Sequence, residues 1–167
     1  ATLSIPNTGM AVTTDVSTVG NIHPPDKQTV GHRLALWALA KTYNKPVTSY
    51  ASPLFDTLKV TGNKAQLTFK HAEGGLKSLD GKPLTWFTIA GADKKFVAAK
   101  AEVTGNAVTV SAEGVASPAA VRFGWHELAE PNLANTAGLP ASPFRTDKWT
   151  DAVMPVVAAA APAPAKK

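Results

Sequence analysis

The chain contains no cysteine. That absence removes disulfide frameworks, thiolate-ligated metals and cysteine nucleophiles in one step, and leaves the compartment open. Charge is scarce too: Asp, Glu, Lys and Arg make up 17% of the residues, below the ~25% of ordinary domains. A disordered solvating chain is nevertheless excluded, because 44% hydrophobic residues can build a core. No apolar run approaches the ~18 residues of a membrane span. The opening ten residues carry neither a basic region nor an apolar stretch, so they do not read as a signal peptide. They also lack an initiator Met and turn strand-like almost at once, so we expect the 167 residues to be an incomplete fragment of a longer protein. The net charge of +5 raises the question of nucleic acid. The 17 Lys and Arg are scattered, however, with Lys94-Lys95 and Lys166-Lys167 as the adjacent pairs. No basic stripe is interleaved with aromatics, so neither a nucleic-acid nor a membrane partner is expected.

What is present changes texture along the chain. Residues 1–45 read as α/β. Met10 to Thr14 is a short β-prone run ending at Asp15, followed by a Gly/Ser/Asn loop through Asn21. Ile22-His23-Pro24-Pro25-Asp26 then opens a helix, with proline tolerated in the first turn and Asp26 at the positive end of the dipole. Val30, Leu34, Trp37, Ala38 and Lys41 form one stripe at helical spacing, and Asn44-Lys45-Pro46 ends it. A strand, a loop and one helix are too little to cover their own faces. Residues 46–125 read as an all-β sandwich of six short strands. Alternating runs at Thr57–Thr61 and Gln66–Lys70 flank Gly62-Asn63. Leu84–Ala90, Lys95–Val103, Val108–Val110 and Ala119–Trp125 follow, with Gly105-Asn106 as a second turn. Residues 126–150 lose periodicity and read as an irregular arm. Residues 151–167, rich in Ala and Pro, are expected to be a disordered tail.

The histidines carry the catalytic options. His32 reads as a surface or packing residue on the helix, and His71 as a loop residue. His126, beside Glu127, is either structural or lines a cleft. No pair has metal-ligand spacing with a third ligand in reach, so no metal or other cofactor is implied. His23 differs because it stands in the loop directly before a helix, where α/β enzymes place working residues. A positive helix end disfavours its protonated form and keeps it available as a base. The bland alternative is a helix-entry residue that fixes the Pro24-Pro25 turn. No Gly-x-Ser-x-Gly elbow and no Gly-Asp-Ser block accompanies it. The residues alone therefore offer a candidate base without a candidate nucleophile.

The stretch Gly9-Met10-Ala11-Val12-Thr13-Thr14-Asp15, followed by Asn21-Ile22-His23-Pro24-Pro25-Asp26-Lys27-Gln28 and the Arg33-Leu34-Ala35-Leu36 helix, resembles the C-terminal catalytic block of sialate O-acetylesterases. These are carbohydrate esterases of the SGNH-hydrolase fold. The likeness continues through Gly138-Leu139-Pro140-Ala141-Ser142-Pro143-Phe144-Arg145-Thr146-Asp147 and more loosely through the β region. It implies a secreted or periplasmic serine esterase that removes acetyl groups from carbohydrates such as sialic acids or plant polysaccharides (xylan, xyloglucan). His23 falls on the family's general base. The nucleophile serine and the oxyanion-hole residues belong to blocks nearer the family's N-terminus, so the N-terminal remainder of the enzyme is an implied partner and this chain alone is expected to be inactive. The acid departs from the pattern. An Asp-x-x-His arrangement would need Asp at position 20, which is Gly20, and Asn21 follows. Asp15, eight residues before His23, is then the candidate acid; Asp26 and a backbone carbonyl are the alternatives.

Two readings remain open for the sandwich. One is an accessory domain packed on the catalytic unit. The other is a non-catalytic carbohydrate-binding module, with Trp86, Trp125 or Trp149 stacked on a sugar face. The arm around Asn132 to Arg145 could return to the catalytic face, where Arg145 would meet an acidic sugar.

Overall fold

Two Gly-Asn pairs build the hairpins that organise the β region. In the computed structural model, which describes residues 2–150, Gly62 (φ 58°) and Gly105 (φ 63°) adopt left-handed backbone that a side chain would resist. Each turn closes a two-residue hairpin loop. Strand β1 (Leu54–Thr61) pairs with β2 (Lys64–Lys70), Thr61 opposite Lys64. Strands β3 (Leu76–Ser78), β4 (Phe87–Ala90) and β5 (Val97–Ala98) intervene before β6 (Lys100–Thr104) meets β7 (Ala107–Ser111), Thr104 opposite Ala107. Three further strands follow, β8 (Ala120–Phe123), β9 (Leu133–Asn135) and β10 (Phe144–Arg145). The fold is mostly β: two four-stranded antiparallel sheets, ordered β1-β2-β7-β6 and β10-β8-β4-β5, and a two-stranded β3-β9 ladder.

The core lies between the two larger sheets. Leu67, Val108 and Val110 from one meet Phe87, Ile89, Val121 and Phe123 from the other. Burial alternates along β2, with Ala65, Leu67 and Phe69 inward, as a half-buried strand requires. The run read as one strand over Lys95–Val103 is two strands that serve different sheets. β5 pairs with β4, β6 pairs with β7, and Ala99 is the corner between them, its N–H donating to the Phe87 carbonyl at 3.0 Å.

The segment 126–150 departs from the irregular arm expected of it, because it supplies β9 and β10. Phe144 of β10 stacks on Phe55 (centroids 4.9 Å apart) and contacts Phe69 and Phe123 at 5.7 and 5.6 Å. Two buried asparagines fix the rest. The Asn132 amide donates to Ser78 Oγ, Asp80 Oδ1 and the Pro83 carbonyl, and its oxygen accepts from the Thr85 N–H and hydroxyl. Asn135 joins Ser49 Oγ to the carbonyls of Ala51 and His71 and accepts from Leu139 N–H. Buried amides of this kind are tolerated because nearly all their capacity is used.

Residues 2–53 form no strand. A single 3₁₀ turn (Thr2–Ser4) and helix α1 (Lys27–Trp37) are the regular elements, the helix continuing as a π-helical turn over Ala38–Thr42 that ends at Asn44 (φ 50°). The expected strand at Met10–Thr14 is absent, because no neighbouring strand among the described residues offers a ladder. The segment is instead tied to the helix by side chains. The helix buries the expected stripe only in part: Val30, Trp37 and Ala38 are half-buried, Leu34 is 52% exposed, and the fully buried residue is Arg33. No helix among the described residues is long and apolar enough to cross a membrane. The expected tail, 151–167, lies outside the described residues.

Candidate functional site

The loop that carries His23 is built by short-range hydrogen bonds. Thr18 and Asn21 form an isolated antiparallel bridge around Gly20 (φ 80°), with the Thr18 hydroxyl donating to the Asn21 carbonyl at 3.1 Å. Asn21 Oδ1 then accepts from the His23 N–H at 2.9 Å. This is an Asx-type turn that fixes the backbone on which the imidazole stands. Pro24 and Pro25 follow, their carbonyls accepting from Lys27 Nζ and Lys27 N–H at 2.9 Å each. Asp26 caps α1: its carboxylate accepts from Thr29 N–H (3.0 Å) and Thr29 Oγ (2.7 Å). The backbone bond, then the hydroxyl, holds the Asp26 carboxyl below its usual range. Asp26 is thereby committed to the helix. His23 is exposed, and its imidazole makes no hydrogen bond or ion pair with any described residue.

Asp15 is placed by a different partner from the one expected. Both its oxygens accept from Arg33, Nη1 to Oδ1 and Nη2 to Oδ2 at 2.6 Å each. Nη1 also donates to the Val12 carbonyl at 2.7 Å. The fork of one guanidinium matches one carboxylate, and α1 delivers it from eighteen residues away. One turn further along, Trp37 Nε1 donates to the Met10 carbonyl at 3.0 Å. The structure therefore does not bring Asp15 to His23. It brings Asp15 to Arg33, and through that clamp pins the segment leading to the His23 loop. Sequence reasoning missed Arg33, although its chemistry was available as a lone arginine on the apolar side of a helix.

The same helix connects to the sandwich through aromatics. Trp37 meets Tyr50 edge-on at 5.0 Å, Lys41 lies 4.6 Å over the Tyr50 ring, and Tyr50 meets His71 at 5.6 Å. Beside them a groove of about 490 Å³ opens between α1 and the loops at 46–49 and 137–139, lined among others by His32, Leu36, Val47 and Leu139.

The three tryptophans considered for sugar stacking have separate fates. Trp149 packs against Phe96 (5.8 Å) with Lys94 over its ring (5.6 Å). Trp86 stacks on His126 at 5.9 Å. Trp125 stays 49% exposed, with the Arg145 guanidinium 5.5 Å from its ring centroid. Arg145 does not stand free for an acidic sugar, since its Nη2 donates to Asp147 and to the Trp149 carbonyl. Asp147 also accepts from Arg122 Nε (2.9 Å) and Nη2 (3.0 Å), and is buried. Burial pushes that carboxyl up, but the hydrogen bonds and charges of Arg122 and Arg145 outweigh it and hold it well below the usual carboxylate range.

No protein-family model matches the chain. Over 71 residues it is 38% identical to the sialate O-acetylesterases of Homo sapiens and Pongo abelii, a match covering 40% of this chain and 14% of those proteins. The mouse sialate O-acetylesterase is 37% identical over the same length. Among solved structures, a carbohydrate acetylesterase from Xanthomonas citri superposes with a TM-score of 0.83 and 42% identity, over 88% of this chain and 34% of that one. The chain thus spans about a third of that crystal structure and a smaller share of the curated relatives. In sequence and in fold, the chain resembles part of the sialate O-acetylesterases and of a carbohydrate acetylesterase.

Proposed function

We propose that this chain supplies the general base and an accessory sandwich to a carbohydrate O-acetylesterase. The observation that carries the reading is the 42% identity and common fold with a carbohydrate acetylesterase over 88% of the chain. The geometry is compatible: His23 is exposed on a loop whose backbone is fixed by Asn21 and Asp26, while its ring is uncommitted. Ile22 in this loop, Leu34 on the helix and Leu39 in the turn that continues it are exposed apolar residues. We read them as the face that packs on the α/β body of an SGNH-type domain. That body, outside these residues, would hold the nucleophile serine.

In the proposed mechanism the serine hydroxyl attacks the acetyl carbonyl while His23 takes its proton. His23 then returns the proton to the departing sugar oxygen, and activates the water that resolves the acyl-enzyme. Asp15 contributes by positioning, through Arg33, and not by direct contact with the imidazole. The test is acetate release from acetylated xylan, xyloglucan and O-acetylated sialic acid by an enzyme containing these residues. His23→Ala should lower kcat at least about a thousandfold with the fold retained. Undiminished turnover in that variant would remove His23 as the base. Acetate release by the 167 residues alone would show that the nucleophile lies within them.

A further inference from the structure

At one end of the sandwich, strand β8 runs out into Gly124, Trp125 and His126. Gly124 is buried in left-handed backbone (φ 58°), and a Cβ there would come within 3.4 Å of Pro131 and Pro143. The turn that presents Trp125 is therefore fixed by both conformation and space. The indole itself is half exposed although the other large aromatic side chains of this sheet, Phe87, Phe123 and Phe144, are buried. It is held as well as exposed. Arg145 lies over the ring, and Arg145 is in turn fastened by Asp147 and the Trp149 carbonyl.

Its neighbour adds a polar group. His126 Nδ1 accepts from the Leu128 N–H at 3.1 Å, so in the neutral ring the proton sits on Nε2. That N–H has no acceptor among the described residues, and His126 is exposed. Trp86 stacks on the imidazole and fixes its plane. Trp86 does so from left-handed backbone (φ 63°), an outlier for a bulky aromatic, and its carbonyl accepts from the Gly124 N–H at 3.0 Å. Strain of this kind persists where surrounding structure imposes it. Here it links the Trp86–His126 stack to the Trp125 turn.

We propose that Trp125 and His126 form a glycan-binding platform, with a pyranose ring of a polysaccharide stacked on the Trp125 face and a sugar hydroxyl accepting from His126 Nε2. An apolar ring face beside an isolated donor is the pattern that distinguishes sugar recognition from burial of a purely apolar partner. A preorganised indole also loses little rotamer freedom on binding. The site lies on the sandwich and involves no bond-breaking step, so it is measured as binding and stands or falls separately from the esterase reading.

The experiment is affinity electrophoresis and titration calorimetry of the 167-residue chain with acetylated xyloglucan, acetylated xylan and polygalacturonate. The platform predicts retention by at least one of them. Trp125→Ala should weaken it tenfold or more, Trp125→Phe less, and His126→Ala severalfold. The neutral polymers should be preferred, because the charge of Arg145 is already met by Asp147. The proposal is overturned if the unmodified chain is retained by none of the three, or if Trp125→Ala, melting as the parent does, binds equally well.

Discussion

Replacing Arg33 by Met tests whether the His23 segment is held by one ion pair. The substitution keeps most of the apolar stem and removes the charge and three hydrogen bonds, those to Asp15 (2.6 Å twice) and to the Val12 carbonyl (2.7 Å). The Arg33 side chain is 7% exposed and that of Asp15 19%. Breaking a fully buried pair from one side costs about 3–5 kcal/mol. Water can reach part of the stranded Asp15 carboxylate, which reduces the cost to about 2–3 kcal/mol. At about 1.4 kcal/mol per tenfold, local opening should rise by about 30- to 150-fold. Native-state hydrogen exchange resolves this, because the amides of Val16, Ser17, Asn21 and His23 each have an internal acceptor in this segment. Their protection should fall while that of β2 and β7 stays unchanged, since the segment is a local unit and not part of the sandwich core. Asp15→Asn in the Arg33→Met background should cost less than the sum of the two changes, with a coupling of about 1–3 kcal/mol. In the active enzyme the same variant should lower kcat more than it alters KM. Unchanged protection at these four amides, or equal loss in the sandwich strands, would refute the clamp.

Three other perturbations test the remaining contacts. The Asp147 and Asp80 carboxyls are held low in the fold. Asp80 falls to about 2 through the Ser78 hydroxyl, the Asn132 amide and the Lys82 N–H, and Asp147 lies lower still for the reasons given above. A depressed folded value means their stabilisation is complete above about pH 4 and is lost as pH falls through the folded values. The melting temperature should therefore hold between pH 7 and about 4.5 and decline below 4. Asp147→Asn, which leaves Arg122 and Arg145 without their carboxylate, should cost about 3 kcal/mol or more at neutral pH, lowering the midpoint by about 10 °C. A midpoint unchanged in that variant would contradict the assignment. Gly9→Ala would place a Cβ 2.5 Å from Trp37 Cδ2, where the indole is held by the Met10 carbonyl and Tyr50. About 1–3 kcal/mol of overpacking should appear as a change in tryptophan near-ultraviolet dichroism, and an identical spectrum would show that Trp37 yields freely.

The parts of the fold that could be read in advance are those with a local physical cause. Gly62-Asn63 and Gly105-Asn106 announce hairpins because left-handed backbone at the first turn position favours glycine. Asp26 announces the start of α1 because its side chain satisfies Thr29 N–H, an orphan donor of the first turn. β9 and β10 were not legible because strands of three and two residues are too short to show alternation. Their order comes from Asn132, Asn135 and Phe144, whose partners lie far away in sequence. Arg33 escaped for the same reason, its partner being eighteen residues back in a loop.

The candidate site divides along the same line. His23 could be singled out because helix-entry loops expose side chains, and it is exposed. Its relation to Asp15 could not, because eight residues of loop do not determine which cation reaches a carboxylate first. An arginine on a preformed helix offers two parallel hydrogen bonds to one carboxylate, whereas an imidazole offers one. The fork wins, and the carboxylate that a triad would claim is spent on holding the loop. If His23 works as a base, its orientation must therefore come from a group that this segment presents it to, and the rigidity of the segment becomes part of the catalytic geometry. Rigidity of that kind is what the Trp37–Met10 bond, the Arg33–Asp15 clamp and the Tyr50 contact supply in series from the sandwich outward. If His23 is the base, a sandwich fastened in this way would act on the reaction without touching the substrate's acetyl group, and loosening Arg33 should then be felt at His23.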